Sequence, residues 1–291
     1  MAKILITGGT GLVGARLTAL LKERKHEVCI LSRSPKDKNE FKWDVSNHFI
    51  EDKALDNIDY IIHLAGAGIA DKRWTKERKE VIVSSRVATA NFLFDKIKEK
   101  EISLKGFISA SGSNYYGAQT TAKIYEESDA VGTDFLGQVC RKWEAAANQF
   151  KGLNIPVTIL RTGIVLSKTG GALEKMKTPI VSPLGSGNQY MTWIHIDDLC
   201  NLYIKAIEEE FTGVYNTVSP ECHTSKTFSK TLAKVIKRPY LPMAIPGFLL
   251  KLVFGELAII LLEGSRLSSN KIIKKEFVFK YKELKKALES L

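Results

Sequence analysis

The chain has 291 residues, 44% hydrophobic and 26% charged, with 43 lysines and arginines against 32 acidic residues, a net charge of +11. These proportions exclude disordered, collagen-like and fibrous proteins, and the length suits one large α/β domain or two small ones. The charge excess is local, because residues 226–291 hold 14 basic and only 5 acidic side chains.

The first half alternates β-rich runs with helical stretches. Ile4–Thr7 reads as a strand, and 14–24 as a helix with Leu17, Leu20 and Leu21 at helical spacing. Strands follow at 27–31, at Lys42-Trp43-Asp44 and at 60–64, then a long helix over 81–98. A strand at 107–111, a helix at 136–150 and a strand at 157–161 continue the pattern. Strands alternating with helices predict a parallel sheet with right-handed crossovers. After Leu166 the pattern changes. Residues 170–183 read as a helix leading into a loop, and 184–189 as a turn-rich loop. Helices at 197–208 and 228–236 flank a strand at 214–217. The expected fold is a Rossmann-type doubly wound α/β sheet over 1–165 plus part of 190–220, with a small C-terminal α/β substrate lobe over 166–291.

Residues 239–262 form the most apolar stretch, interrupted by Lys251, Glu256, Pro242, Pro246, Gly247 and Gly255. A membrane span needs ~20 mostly apolar residues in a row, so none is expected. A buried helix pair accounts for the stretch; a dimer or membrane-edge surface is the other reading. Lys226, Lys230 and Lys234 recur at helical spacing, as on a solvated helix face. No nucleic-acid fingerprint accompanies them, so no nucleic-acid partner is expected. Four cysteines and five histidines never cluster, so neither a disulfide scaffold nor a metal site is expected. With no export signal at the start, a reducing, cytoplasmic setting is the expectation.

Ile4–Thr7 runs into Gly8-Gly9-Thr10-Gly11-Leu12-Val13-Gly14, and a helix follows. Gly8, Gly11 and Gly14 have the spacing that a dinucleotide loop needs. One glycine permits the tight turn, one lets the backbone approach a pyrophosphate, and one lets helix and strand pack. The helix start, with Thr10, Leu12 and Val13, then offers free N–H groups and partial positive charge to the phosphates. The next strand ends Leu31-Ser32-Arg33-Ser34 with no acid at its tip. An acid there would accept from the ribose 2′-OH of NAD, whereas Arg33 beside Ser32 suits the 2′-phosphate of NADP. NADP is the expected cofactor and NAD the lesser candidate. Asp44 is a candidate acceptor for the adenine amino group. Leu64, Ala65 and Gly66 are small or slim residues over which the ribose and diphosphate would lie. His63 reads as a packed strand residue.

Further motifs narrow the reading. Gly66-Ala67-Gly68-Ile69-Ala70-Asp71-Lys72-Arg73-Trp74-Thr75 precedes Arg78-Lys79 and Ser84-Ser85-Arg86. Ser109-Ala110-Ser111-Gly112-Ser113-Asn114-Tyr115-Tyr116-Gly117, Cys140-Arg141-Lys142-Trp143-Glu144 and Leu160-Arg161-Thr162-Gly163 follow, then Trp193-Ile194-His195-Ile196-Asp197-Asp198-Leu199 and Phe277-Val278-Phe279-Lys280-Tyr281. Together they resemble the extended short-chain dehydrogenase/reductases of the NAD-dependent epimerase/dehydratase group, and within it the atypical epimerase family proteins. The likeness spans nearly the whole chain. It implies an NADP-binding Rossmann domain with a short substrate lobe from the C-terminal third, and it implies no particular substrate.

The wider superfamily uses a Tyr-x-x-x-Lys pair, in which the Lys lowers the Tyr pKa and the Tyr moves a proton. Here the matching positions read Leu136 and Cys140, and Gly112 stands nearest the usual Ser. Leucine moves no proton, and a neutral thiol supplies no fixed charge. Tyr281 and Lys285 have the spacing but read as coincidence. Two functions remain open. One is an oxidoreductase or epimerase-like enzyme on a small carbonyl or hydroxyl compound, with Ser111, Tyr115 or Tyr116 as relocated catalytic groups and Lys142 as a possible cation. The other is an NADP(H)-binding sensor that turns nothing over. Arg161 reads equally as an ion pair and as a cofactor contact. Trp74 and Trp193 read as packing residues, and His195 as the neighbour of an Asp197 or Asp198 helix cap. Monomer and homodimer are both open.

Overall fold

The computed structural model describes residues 1–291. In chain order the elements are β1 (Lys3–Thr7), α1 (Leu12–Glu23), β2 (Glu27–Ser32), β3 (Glu40–Asp44), β4 (Phe49–Ile50), β5 (Tyr60–His63) and α2 (Lys76–Glu99). Then come β6 (Gly106–Gly112), β7 (Ile124–Tyr125), α3 (Phe135–Asn148), β8 (Val157–Thr162), β9 (Ile164–Leu166), α4 (Ala172–Met176), β10 (Trp193–His195), α5 (Ile196–Glu208) and β11 (Gly213–Thr217). The chain ends with α6 (Ser225–Val235), α7 (Gly247–Phe254), α8 (Ile259–Leu262), β12 (Arg266–Leu267), α9 (Asn270–Lys274) and α10 (Leu284–Glu289).

Eight strands form one sheet in the order β11-β8-β6-β5-β1-β2-β3-β4. All neighbours are parallel except β3 and β4. β1 lies between β2 and β5, so the chain leaves it in both directions. In open α/β sheets the ligand crevice lies at such a switch point, at the carboxyl ends of the strands. Both faces of the sheet are covered, which is why its strands are apolar throughout rather than alternating. On one face Leu17 and Leu21 of α1 and Leu199, Tyr203 and Ile207 of α5 pack on Ile4, Ile6 and Ile62. On the other, Phe92, Leu93 and Ile97 of α2 pack with Phe107, Phe150 and Ile159. Phe277 and Phe279 join the first of these cores from the C-terminal segment. A third cluster holds Trp193, Phe228, Leu232 and Leu284 beside the sheet.

Helix α6 buries Phe228 and Leu232 and leaves Lys226, Lys230 and Lys234 exposed, as their spacing predicts. The helix expected over 170–183 is one short turn, Ala172–Met176, before the chain reaches Pro179. Residues 239–262 depart more sharply from expectation. They form no buried helix pair. Pro246 and Gly255 bound an eight-residue α7, and only Leu250, Leu257 and Ala258 of α7 and the turn after it are buried. Phe248 is 70% and Leu252 74% exposed. A segment cut this short presents too few turns to bury its whole apolar circumference. No helix is long and apolar enough to cross a membrane.

Candidate functional site

The glycine loop forms the tightest backbone packing at the switch point. Gly8 has φ +70°, and a Cβ there would press on the backbone of Leu64 and Ala65. A Cβ on Gly14 would run into the carbonyl oxygen of Gly8 and the Cα of Gly9. Gly11 N donates to Gly8 O at 3.0 Å and closes the turn. Gly11 also precedes α1 without a side-chain cap, and no acid stands in the first helical turn. The opening N–H groups of α1, at Leu12, Val13 and Gly14, therefore have neither a helical partner nor a competing carboxylate. Thr10 and Gly11 are exposed beside them. This cradle fits a diphosphate.

Two neighbouring strand ends complete the floor. Thr7 Oγ1 accepts from Ala65 N at 3.1 Å and lies 2.8 Å from His63 Nδ1. His63 is fully buried, and burial lowers its pKa to about 4. It is a packed residue that ties β1 to β5. Leu64 and Ala65 are half-buried, and Gly66 is exposed. At the end of β2, Arg33 is exposed and Ser32 half-buried, with Ser32 Oγ accepting from Ser34 N at 3.3 Å. Asp44 Oδ1 accepts from the backbone of Ser46 and Asn47, and Oδ2 from Asn47 Nδ2 at 2.8 Å. Those bonds, led by the Asn47 side chain, lower its pKa. Asp44 thus already organises the 45–47 turn.

The strand ends beyond β5 are different. Arg161 on β8 makes a two-pronged ion pair with Glu144 on α3, at 2.8 Å for each prong. It also donates to Tyr116 Oη at 2.9 Å and Glu127 O at 3.2 Å. Burial opposes its charge, yet Glu144 outweighs burial and raises the pKa. The ion pair that its sequence position suggested is formed. Ser111 Oγ donates to Glu144 Oε1 at 2.7 Å. Tyr116 is fully buried, donates to Asn216 Oδ1 at 2.7 Å, and has its pKa raised by burial to about 12. Ser111 and Tyr116 therefore have their hydroxyls engaged inside the protein. Tyr115 is half-buried, and its ring covers the Arg161 guanidinium at 3.3 Å.

Leu136 and Cys140 lie on the first turns of α3, and Cys140 meets the end of β6. The Cys140 thiol donates to Gly112 O at 3.8 Å. Burial first, then Glu144, raises its pKa to about 11, so it stays neutral. Leu136 lines a cavity of about 460 Å³ with Trp74, Phe135, Ile259, Lys251 and Glu256, between the start of α3 and the α7–α8 segment. Trp74 stacks edge-on against Phe135 at 5.0 Å and donates from Nε1 to Ile69 O, so packing and cavity wall are one role. Sequence reasoning misses Phe135 and Ile259 because nothing local marks them.

Other candidates lie apart from this region. His195 is itself the cap of α5, accepting from Asp197 N at 3.1 Å, and its ring lies 3.9 Å from Tyr281. The cap expected from Asp197 or Asp198 is not formed. Asp197 instead pairs with Arg16 at 2.7 Å, and Asp198 accepts from the backbone of Lys280 and Tyr281. Lys142 lies beside Lys76, Lys79 and Phe135 in a separate shallow hollow. No group of three or more potential metal ligands exists.

A parallel sheet with a glycine cradle at its switch point defines a nucleotide-binding protein of the Rossmann type. More particularly, the chain belongs to the NAD dependent epimerase/dehydratase family, whose model matches residues 4–218. A domain of unknown function, DUF1731, matches residues 245–291. An epimerase family protein of Staphylococcus aureus is 36% identical over all of this chain and 99% of its own length. The crystal structure of human epimerase family protein SDR39U1 with NADPH is 31% identical, covers 99% of this chain and 98% of its own, and has a TM-score of 0.89. A UDP-glucuronic acid 4-epimerase from Bacillus cereus with NAD and a sugar-nucleotide analogue has a TM-score of 0.77 at 22% identity, covering 99% and 96%. That last likeness is one of fold alone.

Proposed function

We propose that the protein binds NADP(H) in the β1–α1 cradle and is an oxidoreductase or epimerase-like enzyme for a small carbonyl or hydroxyl compound. One observation carries the cofactor choice: Arg33, exposed and without an acidic neighbour at the strand tip, follows β2 directly beside the cradle. The likeness to SDR39U1, whose structure holds NADPH, supports the same choice. In this reading Gly8, Gly11 and Gly14 let the diphosphate approach, and the N–H groups of Thr10, Leu12 and Val13 hold it. Ser32 and Arg33 take the 2′-phosphate. Asp44 borders the adenine end, while Leu64, Ala65 and Gly66 line the floor beneath the ribose. When bound, the cofactor supplies or accepts a hydride. The cavity beside Leu136 is the substrate position, and its Trp74, Phe135 and Ile259 walls exclude water. Tyr115 is the catalytic candidate whose hydroxyl is not held by the protein.

A second reading is a cofactor sensor without turnover. The observation in its favour is the pair of positions at Leu136 and Cys140, one apolar and one a neutral buried thiol.

A thermal-shift titration with NADPH, NADP, NADH and NAD tests the cofactor. At ~100 times the dissociation constant a ligand stabilises the fold by about 2.7 kcal/mol. NADPH is expected to raise the melting temperature by several degrees and NADH by much less. Equal shifts would remove the role given to Arg33; no shift would remove the reading itself. Oxidation of NADPH in a carbonyl screen, lost in Tyr115→Phe, then separates enzyme from sensor.

A further inference from the structure

Arg86 is a buried cation without a counter-ion. It lies on α2, is 6% exposed, and forms no salt bridge within the protein. Its Nη1 donates to Ile82 O at 2.8 Å within its own helix. Its Nε has no partner at all. Trp143 stacks over the guanidinium at 4.9 Å, which contributes attraction but accepts no hydrogen bond. Burial first, then nearby Arg78, lowers the pKa to about 10, so the group stays charged at neutral pH. A charge taken out of water is costly unless it is paired, and removing one partner of a buried ion pair leaves that cost standing. The neighbouring Arg161 shows the ordinary solution, since it carries a two-pronged carboxylate. Arg86 carries none.

Its surroundings say what it is placed to meet. A Cβ on Gly66 would press against Arg86 Cζ at 2.9 Å, so only glycine lets the guanidinium lie directly against this exposed turn after β5. Cys140, at the position where the wider superfamily has its lysine, is a buried neutral thiol and supplies Arg86 with no counter-charge. The topology supplies the direction. Arg33 follows β2 on one side of β1, and Gly66 with Arg86 follows β5 on the other. A dinucleotide with its adenosine phosphate at Arg33 and its diphosphate at the β1 loop extends toward Gly66 with its other half.

We propose that Arg86 is a second cationic anchor of the dinucleotide site, holding the phosphate and ribose oxygens of the nicotinamide half beneath Gly66. This rests on the reading of the cradle as a dinucleotide site. Arg86 takes over, from a different helix, the fixed charge that Cys140 cannot provide. Its Cα lies on α2, and only the missing side chain of Gly66 lets its head group lie against the turn after β5.

The test uses the full chain and three probes: NADPH, nicotinamide mononucleotide and adenosine 2′,5′-bisphosphate. In Arg86→Met, loss of a charge-assisted bond is expected to weaken NADPH and the mononucleotide by about ten- to a hundred-fold. The adenosine bisphosphate, which reaches only the Arg33 side, is expected to bind within about two-fold of its normal affinity, a difference of about 0.4 kcal/mol. The ligand-free variant is expected to melt no lower than the original protein, because an unpaired buried charge is replaced by an apolar chain of similar length. Arg86→Lys restores part of the NADPH affinity. Unchanged NADPH affinity in Arg86→Met overturns the proposal, as does equal weakening of all three probes. If Arg86→Met does not fold, that marks a structural guanidinium and also counts against it, unless Arg86→Gln folds and shows the selective loss. Failure of the unmodified protein to bind any of the probes overturns the cradle reading and this inference together.

Discussion

Two polar regions share the carboxyl edge of one sheet, and they are built oppositely. Around β1 and β5, the opening N–H groups of α1, Arg33 and the Arg86 head group have few or no protein acceptors. Around β6 and β8, Ser111, Glu144, Arg161, Tyr116 and Asn216 satisfy one another in a closed cluster. Chemically similar side chains thus have different tasks. Polar groups without protein partners are available to a ligand or to water, whereas a fully connected network specifies the fold. Of the catalytic candidates named from sequence, Ser111 and Tyr116 fall in the second region, where their hydroxyls donate to Glu144 and Asn216.

The comparison breaks most visibly at Glu144. Glu144→Ala strands the Arg161 charge and removes the Ser111 acceptor, so urea unfolding is expected to show a loss of about 3–5 kcal/mol. NADPH affinity of the folded fraction should hardly change. A large loss of affinity with little loss of stability would instead place the cluster in the cofactor site. Gly14→Val is expected to cost about 3 kcal/mol, since the new side chain runs into Gly8 and Gly9, and to abolish NADPH binding. Retained binding in calorimetry would show that the cradle is not where the cofactor lies.

The pH dependence comes next. Burial holds both His63 and His195 near a pKa of about 4, below the ordinary value of 6.5. Between those values the unfolded chain takes up protons that the folded chain does not. Stability is therefore full above about pH 6.5 and falls toward pH 4, by up to about 1.4 kcal/mol per pH unit for each histidine. His63→Gln should reduce that slope by roughly half. A flat profile of unfolding free energy across this range would contradict the burial argument. The smallest effect on stability belongs to Arg33→Ala, an exposed position expected to stay within about 0.5 kcal/mol. Its NADPH affinity should drop about ten-fold or more while NADH is unaffected. Equal losses for both cofactors would move the specificity away from the 2′-phosphate.

Some of this was readable before the fold. The loop Gly8–Gly14 lies within one strand–turn–helix unit, and Arg33 follows the next strand directly. Their roles depend on backbone conformation and on neighbours a few residues away. His63 was likewise legible as a packed strand residue from its apolar setting. The fate of the buried helix pair expected over 239–262 was not, because hydrophobicity alone does not say how many turns Pro246 and Gly255 will permit or which of them find a partner surface.

By itself, then, the sequence determined the alternation of strands and helices, the glycine cradle, an arginine rather than an acid after β2, and the leucine and cysteine at 136 and 140. Turn chemistry, helix capping and side-chain period are local and act over a few residues. Only the tertiary structure decided which polar groups find partners. Tyr116 meets Asn216 across a hundred residues of chain, Arg161 meets Glu144 between a strand and a helix, and Arg86 meets the bare Gly66 and no carboxylate. Such pairings depend on packing distances that no local pattern encodes, and they separate the residues that hold this fold from those left free to hold something else.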